Sequence, residues 1–256
     1  MRRVDAFFLG TDRMCADRIE PVEGGFACLT PSLPLVWSWN YVMFEREGMR
    51  AERMAEICDE ALGAAGLDHR ILSAPTPEDG ERLATDFEAL GWEAEVNALM
   101  VLRSAPDRPP EPGVEVRIES QPEALRRQLM EEDEFLRRQP RHRELIDQLI
   151  EFERRQNPAV GDRWFVACAD DAPASAARLL SRDGIGQVED VATLAAARNR
   201  GLARAVILAA VAASREEGHD LTFIVADADD WPEKLYARLG FETIGLFRSF
   251  RLEPGA

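Results

Sequence analysis

A short segment rich in arginine and small residues, Arg198-Asn-Arg-Gly-Leu-Ala203, separates a predicted strand from a predicted apolar helix. The first amide groups of a helix have no acceptor inside the helix, and they lie at the positive end of its dipole. A phosphate can approach them closely when the neighbouring residues are small, as Gly201 and Ala203 are. Arg200 and Arg204 add positive charge. The segment is suited to a phosphate-binding loop, and the alternative, more common for such a pattern on its own, is a plain turn and helix cap.

A second segment with chemical potential, Leu235-Tyr-Ala-Arg-Leu-Gly-Phe241, follows further along the chain. Tyr236 is one of only two tyrosines. A phenol with an ordinary pKa of about 10 can give a proton to a departing thiolate. The alternative is that Tyr236 packs a short helix on a sheet, with its hydroxyl in water.

Taken together, residues 187–241 resemble the acyl-CoA-binding core of the GNAT family of N-acyltransferases. Arg198, Gly201 and Ala203 fall on its R/Q-x-x-G-x-G/A motif, and Tyr236 falls on its Y-x-x-x-G-F element. The resemblance implies transfer of an acyl group, in the first place acetyl, from acetyl-CoA to a primary amine of a small molecule or peptide. Tyr236 would be the general acid. The alternative is a non-catalytic acyl-CoA-binding regulatory module with the same fold.

The resemblance also implies which residues contact the co-substrate. Amides from residue 199 to 204 would hold the pyrophosphate, and the edge of the strand before them would pair with the pantetheine arm. Asp229 stands where many family members carry a cofactor-contacting Asn. The implied cofactor-binding residues are Val191, Ala192, Thr193, Arg198, Asn199, Arg200, Gly201, Leu202, Ala203, Arg204 and Asp229.

A general base is also needed, because an alkyl amine is mostly ammonium at neutral pH. The adjacent residues Glu189 and Asp190 are the two candidates. Successive side chains of a strand point to opposite faces, so we expect only one of them to line a cleft. Glu189 shares its face with Val191 and Thr193, which favours Glu189 as the base, acting directly or through water. The competing interpretation is a solvated acid pair.

Hydrophobic patterning predicts the order β-α-α-β-β-β-α-β-α-β after residue 113, a mixed α/β layer with helices crossing over a sheet. The family resemblance implies that this layer has the GNAT fold. Asp183-Gly184 is a strong hairpin signal. The predicted helices of the region 122–155 are interrupted at Pro140. The other predicted strands lie at 114–118, 164–169, 174–181, 185–194, 221–226 and 241–252, and the other helices at 201–217 and 232–239.

Four prolines between residues 104 and 113 predict an extended linker between domains 1–103 and 114–256. Residues 84–92 echo residues 233–241, and the earlier elements repeat the later order, which suggests a tandem arrangement. Phe87 stands where Tyr236 does, without a hydroxyl group. We therefore expect a degenerate, non-catalytic GNAT-like domain at the N-terminus and a catalytic GNAT domain at the C-terminus.

A net charge of −16 argues against sequence-independent nucleic-acid binding and gives a mild preference for a cationic acceptor. The four cysteines are scattered and form neither a C-x-x-C pair nor a metal-type cluster, so we expect free thiols and no metal. No apolar run is long enough for a membrane span. These features predict a cytoplasmic protein that does not bind membranes. We expect the protein to be a monomer or a homodimer.

Overall fold

The computed structural model describes residues 2–120, 122–228 and 231–253. The helices are α1 (Arg2–Cys15), α2 (Ala51–Ala64), α3 (Pro77–Ala89), α4 (Glu123–Glu132), α5 (Glu134–Arg138), α6 (His142–Gln156), α7 (Leu202–Glu216) and α8 (Trp231–Arg238). The strands are β1 (Arg18–Val22), β2 (Gly25–Leu29), β3 (Tyr41–Phe44), β4 (Arg70–Ser73), β5 (Glu93–Leu102), β6 (Val116–Glu119), β7 (Arg163–Ala169), β8 (Ala172–Arg182), β9 (Ile185–Thr193), β10 (Leu221–Asp227) and β11 (Phe241–Leu252).

The chain forms two compact units. The described residues of the first are 2–98, 227–228 and 245–253, and those of the second are 99–120, 122–226 and 231–244. The division between the units therefore falls inside β5, β10 and β11. The division of the chain into two domains at the linker 104–113 stays a prediction.

In the first unit, strands β1, β2 and β3 form an antiparallel meander, and β4 pairs in parallel with β3. The end of β11 pairs antiparallel with β4. Helices α2 and α3 close the core of this unit, which includes Phe44, Met54, Leu72, Phe87 and Phe250. This interior is filled by apolar side chains.

In the second unit, β6, β7, β8 and β9 pair antiparallel in sequence order, and β10 pairs in parallel with β9. Helix α4 packs on the side chains of Trp164, Val166 and Ala176, while α7 packs against β7, β8 and β9. The sheet is thus mixed, with helices crossing over it, which confirms the predicted fold class.

Local signals account for several elements. Asp183 and Gly184 both have positive φ, as expected for the turn of a tight hairpin. Strand β11 has the predicted bounds. Helix α1 was not predicted, although Val4, Phe7, Thr11 and Cys15 are buried at helical spacing.

Three general features of the described residues bear on the expectations from composition. No helix is long and apolar enough to cross a membrane. No group of three or more His, Cys, Asp or Glu side chains is arranged to hold a metal ion. The four cysteines are thiols rather than disulfides.

Candidate active site

The cavity of the second unit opens where β9 and β10 stop pairing. Their parallel pairing runs from Ile185 and Leu221 to Val188 and Ile224, whereas β9 continues to Thr193. Beyond this point the two strands enclose a cavity of about 250 Å³. It is lined by Gln187, Val188, Glu189, Asp190 and Val191 of β9, Ile224 and Val225 of β10, and Tyr236 of α8.

A β-bulge in β9 shapes this cavity. Glu189 pairs with Arg178 and Ala192 pairs with Ala176, so two residues of β9 lie opposite the single residue between them on β8. Asp190, the first of these two, has a left-handed backbone with φ of 54°. A bulge breaks the strict alternation of a strand. Both Glu189 and Asp190 contribute to the cavity wall. The expectation that only one of the two side chains lines the cleft stays a prediction.

Glu189 is the more exposed of the two acids within the cavity. Burial, and then the neighbouring charge of Asp190, raise the pKa of its carboxyl group to about 7, while Arg178 and Arg126 act in the opposite direction. Water in the open cavity reaches this side chain and screens part of the effect. A carboxylate with a raised pKa is suited to accept a proton near neutral pH.

Tyr236 lies on α8 and is buried at the cavity wall. Burial, and then the negative charge of Glu189, raise the pKa of its hydroxyl to about 12. The phenol is therefore protonated throughout the neutral range. The structure thus brings both predicted catalytic side chains into one cavity.

The predicted phosphate loop lies at the N-terminus of α7. Gly201 is the N-cap residue, with a left-handed φ of 77°, and Asn199 is also left-handed at 61°. Among the described residues, the N–H groups from 199 to 204 donate to no protein acceptor. An anion can therefore be bound by these amides without breaking an existing hydrogen bond.

The three arginines of this loop have different surroundings. Arg198 is exposed, and its Nε donates to the carbonyl oxygen of Thr193 at 3.3 Å. Arg200 makes an exposed ion pair with Asp170. Arg204 is buried under the linker, where it donates to Asp107 at 2.6 Å and to the carbonyl oxygen of Arg108 at 2.8 Å. Arg198 is thus the one most available to a bound phosphate.

The predicted pantetheine edge is the end of β9. Ala192 and Thr193 pair with Ala176 and Ser175 on the β8 side. The pairing of β9 with β10 ends at Val188. The edge of β9 from Val191 to Thr193 that faces away from β8 therefore lies beyond this pairing. Leu202 is buried and Ala203 is half-buried in the first turn of α7. Asp229 lies outside the described residues.

A network of buried charged side chains surrounds Asp190, and no sequence motif predicts it. Arg126 of α4 donates to Glu153 of α6 at 2.7 Å and to Asp190 at 2.9 Å. Arg178 of β8 donates to Asp162 at 2.8 Å, and its nearest nitrogen lies 3.6 Å from Asp190. The one sequence signal was Arg178 itself, a single charge inside an apolar strand.

Comparison with known proteins defines the class of this unit. Residues 123–241 match the model described as the Acetyltransferase (GNAT) family. This region, slightly less than half of the chain, is therefore a GNAT-family domain. Among curated proteins, none matches the sequence.

Several solved structures resemble the chain. A functionally unknown conserved protein from Staphylococcus epidermidis has a TM-score of 0.74 at 15% identity, covering 94% of this chain and 95% of the other. A GCN5-related N-acetyltransferase from Kribbella flavida gives 0.67 at 19% identity, with coverages of 100% and 95%. A tandem GNAT protein from the clavulanic acid biosynthesis pathway gives 0.55 at 15% identity, with coverages of 84% and 74%. At these identities the likeness concerns the fold alone.

Proposed function

We propose that the chain is an acyl-CoA-dependent N-acyltransferase, in the first place an N-acetyltransferase, that modifies a primary amine of a small molecule or peptide. The observation that carries the proposal is that Glu189 and Tyr236 line one cavity at the point where β9 leaves β10. The same strand leads directly to the unpaired amides at the start of α7. Membership of the GNAT family supports this assignment.

The residues present fit acetyl-CoA as the co-substrate. The amides from 199 to 204, with Arg198 beside them, would hold its pyrophosphate. The edge from Val191 to Thr193 would pair with its pantetheine arm, as an added strand pairs with a sheet. Bound acetyl-CoA would supply a thioester carbonyl and a thiolate leaving group.

The two cavity side chains divide the proton transfers between them. Glu189 would accept a proton from the ammonium form of the acceptor, directly or through water, which leaves a neutral amine to attack the thioester. Tyr236 would give its proton to the leaving sulfur as the carbon–sulfur bond breaks, and would regain a proton from the new amide nitrogen. The N–H of Val191 would stabilise the developing oxyanion.

The cavity wall also suits a positively charged acceptor. Two acidic residues, Glu189 and Asp190, contribute to it, and no Lys or Arg is among its described lining residues. An amino acid bound through its own carboxylate would find no cation there. A polyamine, an aminoglycoside or a basic peptide fits better. A cytoplasmic location and a monomeric or homodimeric state stay predictions.

Binding and turnover need separate measurements, because a regulatory module would bind acyl-CoA without turnover. A ligand that binds only the native state stabilises it, by about 2.7 kcal/mol at one hundred times its Kd. We expect acetyl-CoA to raise the melting temperature and to release free thiol when a reactive amine from a panel is added. Stabilisation without thiol release for any amine would favour the regulatory module.

Arg198→Glu tests the location of the binding site. It places a negative charge beside the expected pyrophosphate, so we expect it to abolish or strongly reduce the stabilisation by acetyl-CoA. Arg138→Glu is the matched control, because Arg138 is an exposed arginine of α5. An equal response of both variants to acetyl-CoA would contradict the assignment of the loop.

A further inference from the structure

The bulge residue Asp190 is held from two directions. Its Oδ1 accepts a hydrogen bond from Arg126 at 2.9 Å, and its Oδ2 lies 3.6 Å from Arg178. The two arginine side chains are only 6% and 1% exposed, and both lie over the ring of Trp164. These groups therefore have little freedom to move away from Asp190.

The backbone of Asp190 also requires such support. A left-handed conformation is unfavourable for a residue with a side chain, and it persists where the surroundings impose it. Arg126 comes from α4, and Arg178 comes from β8, the strand that pairs with β9. The bulge is thus anchored to a helix on one side and to its partner strand on the other.

We propose that Asp190 is a positioning residue, whose carboxylate, held by Arg126 and Arg178, fixes the bulge of β9 and thereby sets the place and charge environment of Glu189 in the cavity. The effect of Asp190 on catalysis rests on the proposed function, whereas the anchoring of the bulge by Asp190 does not depend on it.

The charged and titratable groups around Glu189 come from five elements, and their effects have opposite signs. The negative charges of Asp190 on β9 and Glu153 on α6 raise its pKa, while Arg178 on β8 and Arg126 on α4 lower it. Tyr236 on α8 faces it as a neutral phenol. Burial, and then the charge of Asp190, also raise the pKa of Glu153. Removing one partner of this set therefore has a predictable direction.

Two substitutions should shift the titration of Glu189 in opposite directions. Asp190→Asn removes a negative charge while Asn still tolerates the left-handed backbone, so the pKa of Glu189 should fall. Arg126→Gln removes a positive charge, so the pKa should rise, and Arg126→Lys should restore it. The control is Arg127→Gln, a more exposed arginine on the same helix that pairs with Glu123 and Asp147. It should leave the titration unchanged.

The measurement is the 13C titration of Glu189 in the full-length protein, assigned by comparison with Glu189→Gln. This readout needs no acceptor, so its failure is distinguishable from a failure of the proposed function. We expect a downward shift of at least about half a pKa unit in Asp190→Asn. Because Arg126→Gln can impair folding, Asp190→Asn serves as the second arm. An unchanged titration of Glu189 in Asp190→Asn would overturn the proposal.

With an acceptor in hand, kcat/KM gives a second readout. Glu189 must be deprotonated to act as a base, so kcat/KM rises with pH through its pKa. The acidic limb should therefore move to lower pH in Asp190→Asn and to higher pH in Arg126→Gln. A loss of activity with an unmoved limb would indicate a purely structural role and would also overturn the proposal.

Discussion

Two strand-to-helix junctions of the molecule, β3 to α2 and β9 to α7, have related backbones and different contacts. In the first unit, β3 leads to α2 and then to the parallel strand β4; in the second, β9 leads to α7 and then to the parallel strand β10. Gly48 and Gly201 have left-handed φ angles of 73° and 77° in these connections. The N–H of Gly48 donates to Asp79 at 3.1 Å, whereas the N–H groups from 199 to 204 donate to no acceptor among the described residues.

The difference concerns the amide of Gly48 alone, because the N–H groups from 49 to 53 at the start of α2 also donate to no acceptor among the described residues. The buried carboxylate of Asp79 supplies an anion from within the chain, and Arg82 neutralises it through an ion pair of 2.6 Å. Among the described residues, no carboxylate accepts from the amides from 199 to 204. The amide of Gly48 thus already has an anionic acceptor, whereas an external phosphate would supply one at the second junction.

The aromatic residues of the next helices, α3 in the first unit and α8 in the second, also differ in their surroundings. Phe87 of α3 is fully buried, and its ring stacks on Phe250 at a centroid distance of 4.2 Å. Tyr236 of α8 instead borders a cavity. One position fills a core and the other faces a site. The family model matches residues 123–241 only, so a degenerate GNAT-like domain at the N-terminus stays a prediction.

The largest expected effect separates these two aromatic positions. Tyr236→Phe should lower turnover by about 100-fold or more, since positioned acids contribute that much, while the free energy of unfolding changes little. Phe87→Tyr should leave turnover unchanged and lower the free energy of unfolding by about 1–3 kcal/mol, because the core offers the new hydroxyl little access to water. Thiol release and chemical denaturation measure the two effects. Full turnover in Tyr236→Phe would remove Tyr236 from the mechanism.

Local chemistry made part of this comparison predictable from the sequence. Gly201 and the apolar run after it were enough to predict an open helix N-terminus, and the absent hydroxyl of Phe87 was visible directly. Asp183-Gly184 likewise defines its turn without distant partners. These features depend on neighbours within a few residues.

The features that the sequence did not reveal depend on distant partners. Asp190 adopts its left-handed backbone where Arg126, 64 residues earlier in the chain, holds its carboxylate. Strand periodicity alone therefore did not reveal the bulge at Asp190. Asp79 also reaches Gly48 across 31 residues, so its role at the first junction has no local pattern.

An intermediate effect tests whether the first junction needs its internal anion. Asp79→Ala leaves the N–H of Gly48 without its acceptor and Arg82 without its partner, so the free energy of unfolding should fall by about 1–3 kcal/mol. Turnover should not change. Glu78→Ala is the control, since Glu78 is an exposed acid in the same first turn of α3. Equal stability of the two variants would show that the Asp79 contact contributes nothing particular.

The smallest expected effect concerns the linker beside the second junction. A Cβ atom at position 201 would clash with Cγ of Glu111, so Glu111 lies directly against the loop expected to bind pyrophosphate. Its charge is only partly offset by Arg108, with which it forms an ion pair. Glu111→Gln removes a negative charge that opposes an anionic ligand. We expect the Kd of acetyl-CoA to fall a few-fold, a change of about 0.5–1 kcal/mol for a partly exposed group.

Salt dependence distinguishes this electrostatic effect from a change in linker packing. Repulsion between Glu111 and a bound pyrophosphate should weaken as ionic strength rises, because the Debye length shortens from about 10 Å at 0.1 M to about 3 Å at 1 M. Glu144→Gln is the matched control, since Arg141 and Glu144 form a pair with the same spacing on a different element. A gain in affinity that persists at 1 M salt would mean that the linker acts by shape rather than by charge. In that case the second junction would be partly closed by packing, and the contrast with Asp79 would be one of degree.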